Sequence, residues 1–132
     1  MKFKIMALCA TIALGGCMSV SGIKATRITG KEICIIDNPQ VRSEFRDAYE
    51  RQLQARGYTT KIIYNPNDCK ITSTFSATYR WAWQIYLSTA ELKLFDNGVE
   101  IGRVAYHVPS ASLEKHGTVE GKIESMVAQL LP

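Results

Sequence analysis

The chain has 132 residues, enough for one domain, with 46% hydrophobic residues and a formal charge of +4. Two of its 16 cations, Lys2 and Lys4, stand at the very start, so 14 Lys and Arg face 12 acids in the rest. That near-balance, without a clustered basic face, excludes the footprint of a nucleic-acid binder, and neither an internal repeat nor a second long apolar segment occurs.

The opening MKFKIMALCATIALGGC pairs the two lysines with an uncharged stretch from Ile5 to Leu14. Ten residues are too few to cross a hydrocarbon core, which takes about 20 in a helix, and the flanks read as a secretory signal. Leu14, Gly15, Gly16 and Cys17 resemble the bacterial lipobox. The resemblance implies removal of residues 1–16 by cleavage between Gly16 and Cys17, and acylation of Cys17 with chains such as palmitate. At roughly 0.8 kcal/mol per buried methylene, several chains make a stable anchor where one is marginal. In such proteins Asp after the cysteine retains them at the inner membrane; Met18 stands there instead, which implies the outer membrane. Cleavage leaves 116 of the 132 residues, of which 17–30 read as a lipidated N-terminus and flexible tether of small and polar residues. Thirteen residues from Met18 span at most about 45 Å, so the domain, residues 31–132, is expected to work close to its membrane.

KEICIID (31–37) reads as a buried strand. Asn38 and Pro39 are placed as N-cap and first residue of a helix. Val41, Phe45, Ala48, Tyr49 and Leu53 form its apolar stripe, Asp47 and Arg51 an i,i+4 pair, and Gly57 its left-handed terminator. YTTKIIY (58–64) is a second strand, and Asn65 to Asp68 a turn cluster. From Cys69 the chain alternates: Ile71, Phe75, Ala77, Tyr79, Trp81 and Trp83 share one parity and polar residues the other. A strand running unbroken to Phe95 would reach about 85 Å, so a turn lies hidden between Ala82 and Leu87. Asp96-Asn97-Gly98 signals a hairpin, Gly102 a bulge, Pro109 to Gly117 a loop. Val119, Ile123, Met126, Val127 and Leu130 mark a second helix capped by Thr118 or Gly117.

The order β-α-β-β-β-β-α predicts a two-layer α+β sandwich: a mixed, mostly antiparallel sheet of about five strands with two helices on one face. The first crossover is expected to be parallel and right-handed, and the later strands antiparallel across short turns. Cys34 and Cys69, the thiols left besides Cys17, are expected to meet at one end of the sheet in a disulfide, as export to an oxidising compartment favours. Closing a loop of about 35 residues is worth roughly 3–4 kcal/mol in the chain-entropy model.

No catalytic set is found. His107 and His116 lack metal-ligand spacing, no nucleotide or nucleophile-elbow motif occurs, and the acids are scattered. Neither enzyme activity, metal nor cofactor is expected. Tyr79, Arg80, Trp81, Trp83 and Tyr86 are the candidate contact surface, and three roles are open for the aromatics: core, contact with a partner or ligand, or contact with lipid headgroups.

With the lipobox, EICIIDNP and STFSATYRWAW in view, the chain resembles a family of short uncharacterised outer-membrane lipoproteins of Gram-negative bacteria. The resemblance implies an envelope location and no activity. The expectation is a lipid-anchored, periplasm-facing module of the outer membrane that binds or assembles with an envelope protein without catalysis. The alternative is a receptor for a small apolar or glycan ligand. An apolar strip or open sheet edge would mark the first, a concave apolar pocket the second.

Overall fold

The structure is a computed structural model that describes residues 19–110 and 117–132; Gly16, Cys17 and His116 lie outside them. The elements are β1 (Ser19–Ile23), β2 (Glu32–Ile36), α1 (Ser43–Ala55), β3 (Thr59–Ile63), β4 (Ile71–Ala82), β5 (Gln84–Asp96), β6 (Val99–His107) and α2 (Val119–Leu130). One six-stranded sheet runs in the order β1-β6-β5-β4-β2-β3. The β1/β6, β6/β5 and β5/β4 pairs are antiparallel, and β4/β2 and β2/β3 parallel. This is the α+β sandwich the sequence predicts, with one strand more.

The extra strand is β1, within the segment read as a flexible tether. Ser19 to Ile23 pairs with His107 to Arg103 along the edge of the sheet. Its sequence, SVSGI, lacks an apolar alternation, and backbone proximity takes the place of side-chain burial. A Cβ on Gly22 would sit 2.0 Å from the Arg103 carbonyl oxygen, an approach open to glycine alone. The chain then crosses over Gly102, where an added Cβ would meet the Ala25 nitrogen at 2.9 Å. Ala25, fully buried, donates its N–H to the Leu130 carbonyl at 2.9 Å.

The helices bury the stripes read from the sequence: Phe45, Ala48, Tyr49 and Leu53 on α1, and Ile123, Met126, Val127 and Leu130 on α2. They meet Ile33, Ile35, Ile71, Phe75, Leu92, Leu94, Val104 and Tyr106 from one face of the sheet, and the rings of Phe45 and Phe75 stack at 5.8 Å. Buried Tyr49 is satisfied: Ser73 Oγ gives its proton to the Lys93 carbonyl at 2.8 Å, leaving the Tyr49 hydroxyl to donate to Ser73 Oγ at 2.6 Å. Burial pushes the Tyr49 phenol far above its ordinary pKa.

Three local expectations are corrected. First, α1 starts at Ser43, not Pro39. The Asn38 side chain accepts from Gln40 N at 3.1 Å and donates to the Phe75 carbonyl at 3.0 Å, closing an Asx turn that ties the approach to the sheet before the helix begins. Second, Asp47 does not pair with Arg51. Arg46 bridges Asp37 and Asp47, each at 3.3 Å, while Arg51 reaches Glu120 on α2 at 3.0 Å. Third, β3 and β4 are not an antiparallel neighbour pair: β4 lies on the other side of β2 and parallel to it. Residues 64–70 run back over the helix-free face of β2 to start β4 level with its beginning.

The remaining devices form as read. Thr118 caps α2 by accepting from Gly121 N at 3.1 Å, and Gly57 ends α1 at φ +90°. Asn97 and Gly98 turn β5 into β6 at φ +48° and +82°, and the ladder slips one residue opposite Gly102.

Candidate functional site

The hidden turn is a single residue. Ala82 pairs with Gln84 and Trp83 alone lies between them at φ +66°. A bulky residue there is uncommon, because its Cβ crowds the following carbonyl.

The β4–β5 ribbon outruns the helices. Arg42, which precedes α1, lies over the Tyr79 ring at 5.1 Å and marks where helical cover stops. Burial raises the half-buried Tyr79 phenol above its ordinary pKa, and nearby Arg42 opposes the rise. One pair further out, Trp81 stands directly opposite Ile85, so both share the face of Tyr79 and Leu87. Trp81 is 72% exposed, Trp83 93% and Ile85 51%. The core role is therefore excluded for the two tryptophans. It holds for Tyr86, which is 5% exposed and joined to the core cluster, so Tyr86 leaves the candidate contact surface and Ile85 enters it. The parity of Ile85 was hidden because neither the turn nor the bulge at Ser88 carries a residue signal. That bulge appears as the step from Thr78↔Thr89 to Tyr79↔Leu87.

Beside the ribbon, Arg80, Tyr86, Ser88, Thr89, His107 and Pro109 line a hollow of about 310 Å³. His107, exposed at the end of β6, sits in its wall. The chain leaving β6 closes one side, with Val108 N donating to the Ser88 carbonyl at 3.1 Å.

At the opposite end of the sheet the Cys34 and Cys69 sulfurs stand at bonding distance, 2.01 Å, with Cα atoms 6.3 Å apart. The pair forms by a route the sequence did not suggest. Cys34 is mid-strand on the helix-free face, and Cys69 belongs to the crossover lying on that face. Glu32 Oε1 is 3.6 Å from each sulfur. Joined sulfurs have no proton to donate and no thiolate to offer, so this cluster is not a metal-ligand set in the bonded state. The crossover walls an open groove of about 520 Å³ with Ile36, Pro66, Thr72, Thr74, Phe95 and Asn97 on its surface.

Among the described residues, no helix is long and apolar enough to cross a membrane. No described protein family matches the chain, and no curated protein matches it significantly. Among solved structures the chain is similar to a PDZ domain protein from Parabacteroides distasonis, at 8% identity and a TM-score of 0.43. That likeness covers 85% of this chain and 35% of the other, so the chain spans about a third of that protein's length.

Proposed function

We propose that this protein is a lipid-anchored, periplasm-facing accessory module of the outer membrane that acts by binding, without catalysis. The address rests on LGGC at 14–17. The observation that carries the mode of action is the bare end of the β4–β5 ribbon. Three large apolar side chains, Trp81, Trp83 and Ile85, project from a paired ribbon whose base is locked under two helices. Large exposed apolar side chains grouped at one place mark a surface made to touch something outside the chain.

Two measurements test this reading. Labelled fatty acid should enter the wild-type chain, and Cys17→Ala should abolish labelling and release the protein from the membrane fraction. Replacing Trp81 and Trp83 together by Ser should leave the melting temperature nearly intact while removing whatever the tip contacts; unfolding of that variant would refute a contact role.

The receptor reading has its own observation in the groove on the helix-free face. Its volume falls within the range of small-molecule sites, and its wall combines Ile36 and Phe95 with the hydroxyls of Thr72 and Thr74. Thermal-shift screening with apolar and glycan ligands tests it, and Thr74→Trp, which fills the groove, should remove any stabilisation found.

A further inference from the structure

The sheet fixes the end from which β1 enters it. Ser19 pairs with His107, His107 with Thr89, and Thr89 with Thr78. These residues form one rung across β1, β6, β5 and β4. β1 starts on this rung and points away from the end of the sheet at which β4 turns through Trp83 into β5. Ser19 and Thr78 stand three strands apart on it, about 14 Å.

The reaches can be compared. From Ser19 to Cys17 is two residues, at most about 7 Å. From the Thr78 rung to Trp83 is five residues of ribbon, about 16 Å. The tip thus reaches farther past the rung than Cys17 can. Apolar side chains of interfacial elements settle about 5–10 Å into the headgroup boundary, a depth open to a tip that projects past its anchor.

The chemistry of the tip suits that depth. From Thr74 to Ala90 the sole charged residue is Arg80. Arg42, on the Tyr79 ring, is the neighbouring cation, and Glu44, which follows into α1, the neighbouring acid. Trp with Arg is a water–lipid interface composition. The positive φ of Trp83 points the same way: Asn or Gly would fit the turn at less cost, so an indole there has a use outside the fold.

We infer that the tip formed by Trp81, Trp83 and Ile85 rests in the headgroup zone of the membrane that holds the anchor, giving the domain a second foot and one orientation. This deepens the proposed function and rests on acylation of Cys17.

Trp81 and Trp83 are the chain's two tryptophans, so its indole fluorescence reports on the tip alone. The acylated mature chain is placed in vesicles of phosphatidylethanolamine and phosphatidylglycerol, with and without lipids brominated near the headgroup. The expected result is blue-shifted emission that the brominated lipid quenches. Unshifted, unquenched emission from vesicle-bound acylated chain overturns the inference and leaves the anchor standing. Mass spectrometry of the N-terminal peptide judges the anchor separately. If Cys17 carries no lipid, the same quenching is read on the unacylated chain in excess vesicles: quenching upholds the tip contact without the anchor, and its absence overturns both. Trp81→Ser should weaken vesicle binding of the unacylated chain about tenfold, the scale of one apolar side chain leaving lipid. In cells, a photo-crosslinking residue in place of Trp83 should attach to phospholipid. Attachment instead to another protein, or to a second copy of this chain, overturns the inference.

Discussion

The two hairpins of this sheet share β5 and turn at opposite ends of the molecule. At one end Asn97 and Gly98 supply positive φ angles of +48° and +82° from residue types that adopt them readily. At the other, Trp83 takes φ +66°, and from Lys70 to Phe95 there is no Gly, Pro, Asn or Asp. The first turn is explained by backbone conformation alone. The second is not: Trp83 is almost fully exposed, and on the proposed reading its side chain serves a contact outside the fold. A hairpin whose residues serve the fold can be read from the sequence. One without such residues leaves its turn unmarked.

The contrast can be broken in several ways. Within the β4–β5 ribbon, Phe75→Ala at the covered end removes a ring stacked on Phe45 and should cost about 3–5 kcal/mol. Trp81→Ser at the bare end should change stability by less than about 0.5 kcal/mol. Equal losses in chemical denaturation would erase the distinction between the two ends. Replacing Cys34 and Cys69 together by Ser should cost roughly 3–4 kcal/mol, read as a lowered denaturant midpoint. The tip should keep its fluorescence, because the staple lies at the other end of the sheet.

The turns themselves should answer oppositely. Gly98→Ala forces a Cβ into a left-handed position and should lower stability by about 1–2 kcal/mol. Trp83→Asn should leave stability unchanged or raise it by up to about 1 kcal/mol; a clear loss would show that the indole does serve the fold.

The smallest effect expected joins the two helices. The Arg51 guanidinium, helped by Gln52, holds the Glu120 carboxyl below its ordinary range. A depressed folded-state pKa contributes stability above the unfolded value, near 4.3, and that contribution fades as pH falls through the folded one. Both side chains are well exposed, so the contribution is screened. Glu120→Gln should flatten the melting-temperature profile slightly below about pH 5, and high salt should mask the change.

The helix stripes, the Asn-Gly turn, the bulge at Gly102 and the cap at Thr118 were legible because each is a local rule written in a few residues. What was illegible is non-local. SVSGI looks like a leash because its strand is held by the backbone of Arg103 passing close to Gly22, which no pattern of apolar residues reports. Asn65 to Asp68 looks like a hairpin turn, yet seven residues there recross the sheet, and only the pairing of β4 with β2 reveals it. At the tip, the aromatic parity located Trp81 correctly, but a one-residue turn and an unmarked bulge concealed its partner Ile85 and the burial of Tyr86.

The docking of β1 also decides how the molecule bears force. β1 begins at Ser19, and its hydrogen bonds to β6 lie across the strand axis. Tension applied at Ser19 along that axis therefore loads the rungs of this short ladder together, in shear, instead of opening them one after another from an end. A strand that looks like slack in the sequence is a mechanical coupling, and a tug on the chain is transmitted into the sheet before any of its length is released.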